Sequence, residues 1–468
     1  YAWGKRGRNS EVALLNSSGD PDFMIDDNMP YAELWMGTHP NGPSILKGSS
    51  QKLSEWIVAN PESLGYETRE KFGVQLPFLF KVLSVNQALS VQAHPDKAHA
   101  EKLHRERPDI YKDPNHKPEL AIALTPFEAL CGFRPIAEIK NYLETIPELR
   151  SVIGQESINE LLTSDEAGMQ QALKNCFHAL MNCCKITVET QLNILAKRLA
   201  DLDESSLADQ TMNLFLKLHK TYPGDVGCFS VFFLNYLVLQ LGEAIFLGPN
   251  EPHAYLFGDC IECMACSDNV VRAGLTPKYK DVETLCNMLT YICEPASSKV
   301  FEGIVENEFT VMFSPPVPDF AVAKISIPIG AAEVSLIPRD SASLLIVISG
   351  QAECNDLNLD RGSVLFIPAK QKIDLLCNES EDPILMFQAM IAAHVWSEKH
   401  NINSDTKLLK QLENTNELTI WEKIYIQKNR NRVMNFDIPM ERDLVWRFFG
   451  QPQDGADIDI QVVQHNAT

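Results

Sequence analysis

Leu239-Gln240-Leu241-Gly242-Glu243-Ala244-Ile245-Phe246-Leu247 and Leu359-Asp360-Arg361-Gly362-Ser363-Val364-Leu365-Phe366-Ile367 carry one pattern: a leucine, a glycine turn, and a run that ends aliphatic-Phe-aliphatic. Glycine at a turn followed by β-branched and aromatic residues marks a strand entered through a tight bend. Its recurrence points to an internal repeat. Continuing the register sets His253 against Ile373, so the second copy keeps the strand and lacks the side chain suited to chemistry. The repeat predicts a mainly β protein with two related β-barrels, the first carrying the chemistry and the second degenerate.

Working outward, residues 1–134 read as short strands and turns, punctuated by Gly4, Gly7, Ser17-Ser18-Gly19-Asp20 and Asn41-Gly42-Pro43, with a short helix from Leu53 to Ala59. In this stretch Pro30 to Pro40 reads as a core strand and a turn. From Pro135 to about Tyr222 the period changes. Apolar residues at Leu173, Phe177, Leu180, Met181 and Cys184, at Leu192, Leu195 and Leu199, and at Phe215 and Leu218 have the spacing of amphipathic helices. This helical part is given a scaffolding or lid role, its His178 and His219 packing or hydrogen-bonding. Strand-like residues return at Val231-Phe232-Phe233 and continue beyond, with Ala342 to Ile348, Ser363 to Ile367 and Ile384 to Phe387 as the clearest strands. The expected plan is a discontinuous catalytic barrel (1–134 with 223–300), a helical domain (135–222), a metal-free second barrel (301–393) and a tail (394–468).

The chain has 468 residues, 45% of them hydrophobic, enough for two or three domains. Its net charge of -21 argues against nucleic acid and anionic membranes as partners. Phe229 to Leu241, the most apolar run, is too short to span a bilayer. Twelve cysteines without a secretory leader predict reduced thiols and a cytoplasmic protein. Tyr1 in place of an initiator methionine predicts that the natural chain starts earlier.

Candidate chemistry centres on Ser90-Val91-Gln92-Ala93-His94-Pro95-Asp96-Lys97, with Pro118-Glu119 and Pro249-Asn250-Glu251-Pro252-His253. Residues two apart on a strand share a face, so Gln92 and His94 can reach one point. With Glu119 and His253 they offer two imidazoles, a carboxylate and an amide, a set suited to zinc as a Lewis acid. His116 is the rival ligand, while His99 and His104 read as solvated on a polar helix. Cys260-x-x-Cys263-x-x-Cys266 has no fourth cysteine at suitable spacing and reads as reduced thiols, giving one metal per chain. Arg272 follows an apolar strand, and Lys81, Lys97, Lys117 and Lys278 flank the motifs, so an acidic chain gathers local positive charge fit for a phosphate.

These residues resemble the type I phosphomannose isomerases (mannose-6-phosphate isomerases). The resemblance rests on Tyr1-Ala2-Trp3-Gly4, Ala32 to Pro40, Gln92-Ala93-His94-Pro95, His116-Lys117-Pro118-Glu119, Pro252-His253-Ala254-Tyr255 and Val271 to Thr276, and spans residues 1 to about 393. It implies two cupin-type barrels with a helical insertion and one Zn2+ on Gln92, His94, Glu119 and His253, with Arg272 as an active-site residue. It also implies interconversion of mannose 6-phosphate and fructose 6-phosphate through an enediol-type intermediate, supplying mannose for GDP-mannose and glycosylation. Glu262, Asp268 and Lys117 are the candidates for the base, and Lys81, Ser90 and Lys278 for the phosphate. A monomer acting on a small sugar phosphate is expected. The rival readings are a cupin oxygenase, which metal identity would separate, and a non-catalytic sugar-phosphate-binding cupin, which activity would separate. The tail lies outside the resemblance, with a possible helix from Ser404 to Leu412 and tryptophans at 396, 421 and 446.

Overall fold

The strand His253–Ala265 is the axis of the first β lobe, a mainly aliphatic, aromatic and cysteine run that also carries Gly258, Asp259 and Glu262. From Gly258 onward it pairs antiparallel with Phe78–Val85 on one side and, from Cys260, with Glu119–Ala123 on the other. Its first residues pair instead with Phe127–Phe133 and, through His253, with Gln92. The register slips between Tyr255 and Phe257, and Gly258 has φ of 115°. A Cβ at Gly258 would stand 2.5 Å from the Pro126 carbonyl oxygen, so only glycine fits this bend. The bend lets one strand serve two groups of neighbours and turns its histidine-bearing end toward Val91–Ala93 and Val271–Gly274.

The computed structural model describes residues 1–201, 210–355, 357–377, 380–392, 460–464 and 466–467. Among these, a ten-stranded sheet runs from Ala244–Leu247 through Glu119–Ala123, His253–Ala265, Phe78–Val85 and Glu33–Met36 to Asn466–Ala467, with the remaining strands branching off this path. An eight-stranded sheet runs from Ile304–Val305 to Ile45–Leu46, and a separate four-stranded sheet contains Glu333–Leu336, Ile373–Leu376, Ala352–Cys354 and Leu357–Leu359. The last two share a buried cluster that includes Val347, Leu365, Ile373, Leu375 and Met386.

The expected pair of cupin-type β-barrels does not form. Each strand order runs from one edge to another without closing, and the whole is a mixed α/β fold of large open sheets and helices. The reason lies at the edges. Two neighbouring positions of the eight-stranded sheet are filled by Gln461–Gln464 and Ile45–Leu46, from opposite ends of the chain, and the four-stranded sheet stands apart. The repeat itself is real in its turns. Gly242 and Gly362 have φ of 84° and 83°, and the Gln240 and Asp360 amides donate to the Glu243 carboxylate and Ser363 hydroxyl respectively. Such turn chemistry is local and does not decide how sheet edges meet.

Helices Ile136–Thr145, Pro147–Ile153, Gln155–Thr163, Met169–Met181, Lys185–Ala200 and Gln210–Thr221 follow the first strands. Their apolar stripes, Leu173, Phe177, Leu180, Leu192, Leu195 and Phe215 among them, share a core with Val91, Ala93, Ala254 and Val271. The helices therefore press on the strands that carry Gln92, His253 and Arg272. Val231-Phe232-Phe233, read above as strand-like, belongs instead to a short 3-10 stretch, Val226–Phe232, with its Phe233 cap. Phe232 there packs against Phe215 with ring centroids 5.9 Å apart, a tertiary contact that overrides the local β preference. The helix Leu53–Ala59 is present. No helix among the described residues is long and apolar enough to cross a membrane. The possible Ser404 to Leu412 helix and the three tail tryptophans lie outside the described residues.

Candidate active site

Gln92 lies within the strand Val91–Ala93 and His94 just past it, so their side chains leave one face. Flanking strands bring His253 opposite Gln92 on one side and Arg272 opposite it on the other. Glu119 opens the strand Glu119–Ala123. His94, Glu119 and His253 are 1%, 3% and 1% exposed, so what they hold is shielded from bulk water.

Glu119 Oε1 lies 3.4 Å from His94 Nε2, and its Oε2 lies 3.4 Å from His253 Nε2. The Gln92 amide nitrogen is 3.5 Å and 3.4 Å from the same two ring nitrogens. On the outer side, His94 Nδ1 is 2.7 Å from the Asn269 carbonyl oxygen and His253 Nδ1 is 2.9 Å from that of Glu251. A carbonyl only accepts, so each Nδ1 carries the proton and donates, and each Nε2 turns a lone pair inward. Ser90 Oγ donates to Gln92 Oε1 over 2.8 Å. Turning that amide by half a turn presents its oxygen to the imidazoles and its NH2 to Ser90 Oγ, which can accept. Glu119 Oε2 is buried with no hydrogen-bond partner. Two inward lone pairs, an orphaned carboxylate oxygen and a reversible amide form a donor set that fits a divalent transition metal. Among the described residues, His94, Glu119 and His253 form the one group of three or more such side chains close enough to hold an ion.

Burial pushes His94 down to about 4, despite the Glu119 carboxylate beside it. Burial also works against ionising Glu119, but the neighbouring His94 and the Lys117 ammonium hold its carboxyl well below the usual range. At neutral pH the pair is therefore a neutral imidazole beside a carboxylate, the state a metal requires. The Lys117 ammonium, 3.4 Å from Glu119 Oε1, supplies a neighbouring positive charge. A pH dependence follows for the metal-free protein. Unfolding returns His94 to its ordinary value near 6.5, so between about 4 and 6.5 the unfolded chain binds the extra proton. Glu119, depressed in the fold, contributes with the same sign as pH falls through the carboxylate range. The urea midpoint of metal-free protein should fall as pH is lowered through this window, and a flat midpoint would contradict the assignment.

Next to this centre, Lys81 is buried with its ammonium 3.0 Å from Glu262 Oε2 and 3.8 Å from Glu33 Oε2. It also lies 5.1 Å from the Trp35 ring centroid. Burial raises the Glu262 carboxyl above its ordinary value, Lys81 opposing the shift and Glu119 reinforcing it. Arg272 is half-buried, its backbone carbonyl accepts from the Asp281 N–H, and its side chain makes no hydrogen bond or ion pair with the described residues. It lines a cleft of about 320 Å³ with Asp268, Lys278, Tyr111, Tyr279 and Asp281.

The other candidates are dispersed. Asp268 is half-exposed, its Oδ1 3.6 Å from His39 Nε2. Lys278 is exposed on the Arg272 cleft, whereas Lys81 is committed to its carboxylates and Ser90 to Gln92. The three phosphate candidates are not gathered at one point. His116 turns away to Asp319 Oδ2 at 3.0 Å, which removes it from the ligand set. His104 Nδ1 meets the Tyr111 carbonyl oxygen, and Lys97 is held by Asn115. Cys260, Cys263 and Cys266 are free thiols, and burial raises all three above their ordinary value. Sequence reasoning passed over Glu33, Trp35 and His39, which it placed in a core strand and turn, and Tyr255, whose hydroxyl is buried without a hydrogen-bond partner. The two-residue spacings of Glu33 with Trp35 and of His253 with Tyr255 were the available signal.

Residues 1–136 match the family model described as phosphomannose isomerase type I, catalytic domain, and residues 150–234 match phosphomannose isomerase type I, helical insertion domain. The chain is 48% identical over 405 residues to mannose-6-phosphate isomerase of Bos taurus, covering 83% of this chain and 96% of the bovine protein. The chain belongs to the type I phosphomannose isomerase family. Among solved structures, the apo form of mannose 6-phosphate isomerase from Salmonella typhimurium is similar with a TM-score of 0.71 and 31% identity, covering 84% of this chain and 96% of that one. A mannose 6-phosphate isomerase bound with zinc and yttrium is similar with a TM-score of 0.68 and 30% identity, covering 84% and 97%. Family membership thus joins a buried His-Glu-His centre reached independently from its geometry.

Proposed function

We propose that this chain is a zinc-dependent mannose-6-phosphate isomerase that interconverts mannose 6-phosphate and fructose 6-phosphate. The observation that carries the reading is the convergence of His94 Nε2, His253 Nε2 and the orphaned Glu119 oxygen, with both outer ring nitrogens donating to carbonyls, in a chain of this family. His94, Glu119 and His253 would hold one zinc ion, with Gln92 completing the set. When bound, zinc polarises the substrate's oxygens and stabilises negative charge developing on them.

Aldose-ketose interconversion moves a proton between C1 and C2 through an enediol, so the protein must accept a proton from one carbon and return it to the other. Glu262 is the base we favour over Asp268 and Lys117. It is buried, its raised carboxyl brings proton affinity toward neutrality, and Lys81 fixes its orientation. Arg272 and Lys278 share the cleft and supply the positive charge that a phosphate needs in an acidic chain. Lys117 offsets the charge of Glu119.

In this reading residues 1–134 with 223–300 make the catalytic lobe, 135–222 the helical part and 301–393 a second β lobe without a metal. A monomer in the cytoplasm is part of the same reading, and the twelve free cysteines suit a reducing compartment. The test is conversion of mannose 6-phosphate in deuterium oxide. We expect fructose 6-phosphate to form with solvent deuterium entering the position that receives the proton. Absence of product with zinc bound would refute the reading.

A further inference from the structure

The two imidazoles reach the metal centre from separate segments, and something must fix their spacing. The turn before His253 does so with an uncommon backbone. Asn250 has φ of 62°, a left-handed conformation that asparagine tolerates better than most residues. Its N–H donates to the carbonyl of His94 over 2.7 Å, and its side-chain amide donates to Asp96 Oδ2 over 3.1 Å. Asp96 in turn caps the helix Lys97–Glu106 through the His99 amide. One residue on, the Glu251 carbonyl accepts from His253 Nδ1. Two adjacent residues therefore bind the backbone of one ligand and the ring of the other.

We infer that Asn250 is a clasp that sets the distance between His94 and His253 and so positions the metal ligands, a role that rests on the zinc reading above. It touches no substrate and is a positioning residue. Outer partners that orient metal ligands typically contribute about 10-fold to 100-fold in metal affinity. The Asn250–Asp96 hydrogen bond gives a reciprocal test, because Asn250→Asp sets two carboxylates against each other. Adding Asp96→Asn restores one donor and one acceptor with the direction reversed, and the new asparagine can still cap the helix.

The experiment is competition of the purified proteins against a chromogenic chelator for zinc, with melting of the metal-free forms as a check on folding. Wild type should bind one zinc ion. Asn250→Asp should bind at least about 10-fold more weakly, and the Asn250→Asp, Asp96→Asn double variant should recover most of that loss. Should Asn250→Asp not fold, Asn250→Gly, which keeps the backbone conformation and removes the amide, should also show weakened zinc binding. Zinc binding within twofold of wild type in Asn250→Gly, or a double variant as weak as Asn250→Asp, would overturn the clasp alone. A wild-type chain that takes up no zinc would overturn both the clasp and the zinc reading.

Discussion

Glu119→Gln is expected to lose its zinc on dialysis and to lower kcat/KM for mannose 6-phosphate by at least about 10³-fold, roughly 4 kcal/mol of transition-state stabilisation. Glu119 is the one carboxylate in the cluster, and its two oxygens lie 3.4 Å from the two inward ring nitrogens. Glutamine keeps the shape and removes the charge, leaving neutral donors to hold a dication. The second consequence is electrostatic. Lys117, now 3.4 Å from a carboxylate oxygen, would sit beside a neutral amide and repel the metal without compensation. Metal content by elemental analysis separates the outcomes: full zinc occupancy with normal turnover would remove Glu119 from the centre.

The other large effect is expected at Glu262. Replacing it with glutamine should lower kcat by about 10²-fold to 10⁴-fold, the range of a positioned general base, while zinc stays bound. Glu262 is 3% exposed and lies 3.0 Å from Lys81, so the substitution also leaves a buried ammonium with only Glu33, at 3.8 Å, to balance it. Some loss of stability should accompany the loss of rate, and the pH-rate profile tells them apart, because removing the base deletes the acidic limb whereas a packing defect does not. Asp268→Asn, at a half-exposed position, should change kcat by less than about tenfold. A normal Glu262→Gln enzyme beside a crippled Asp268→Asn enzyme would reverse the assignment.

Where the sequence was informative, the reason was locality. Gln92 and His94 lie two apart on a strand, and the spacing alone puts both on one face. The turns at Gly242 and Gly362 share a conformation because the same residue types impose it. What was not legible depends on distant partners. No local pattern could place Gln461–Gln464 between Val364–Ile367 and Ile45–Leu46, and so the open sheets were read as barrels. At the site, the orienting acceptors are the carbonyls of Asn269 and Glu251, and a backbone carbonyl has no signature in a sequence. Ser90 spends its hydroxyl on the Gln92 amide and His116 its ring on Asp319, pairings that only the folded chain reveals.

The most direct test of the central claim, that this buried centre works as a zinc site for sugar-phosphate isomerisation, is the rate of mannose 6-phosphate conversion by the purified chain before chelation, after chelation, and after zinc is returned. The account predicts loss on chelation and recovery as one equivalent of zinc is added. Undiminished turnover in chelated protein, verified free of metal, would contradict it.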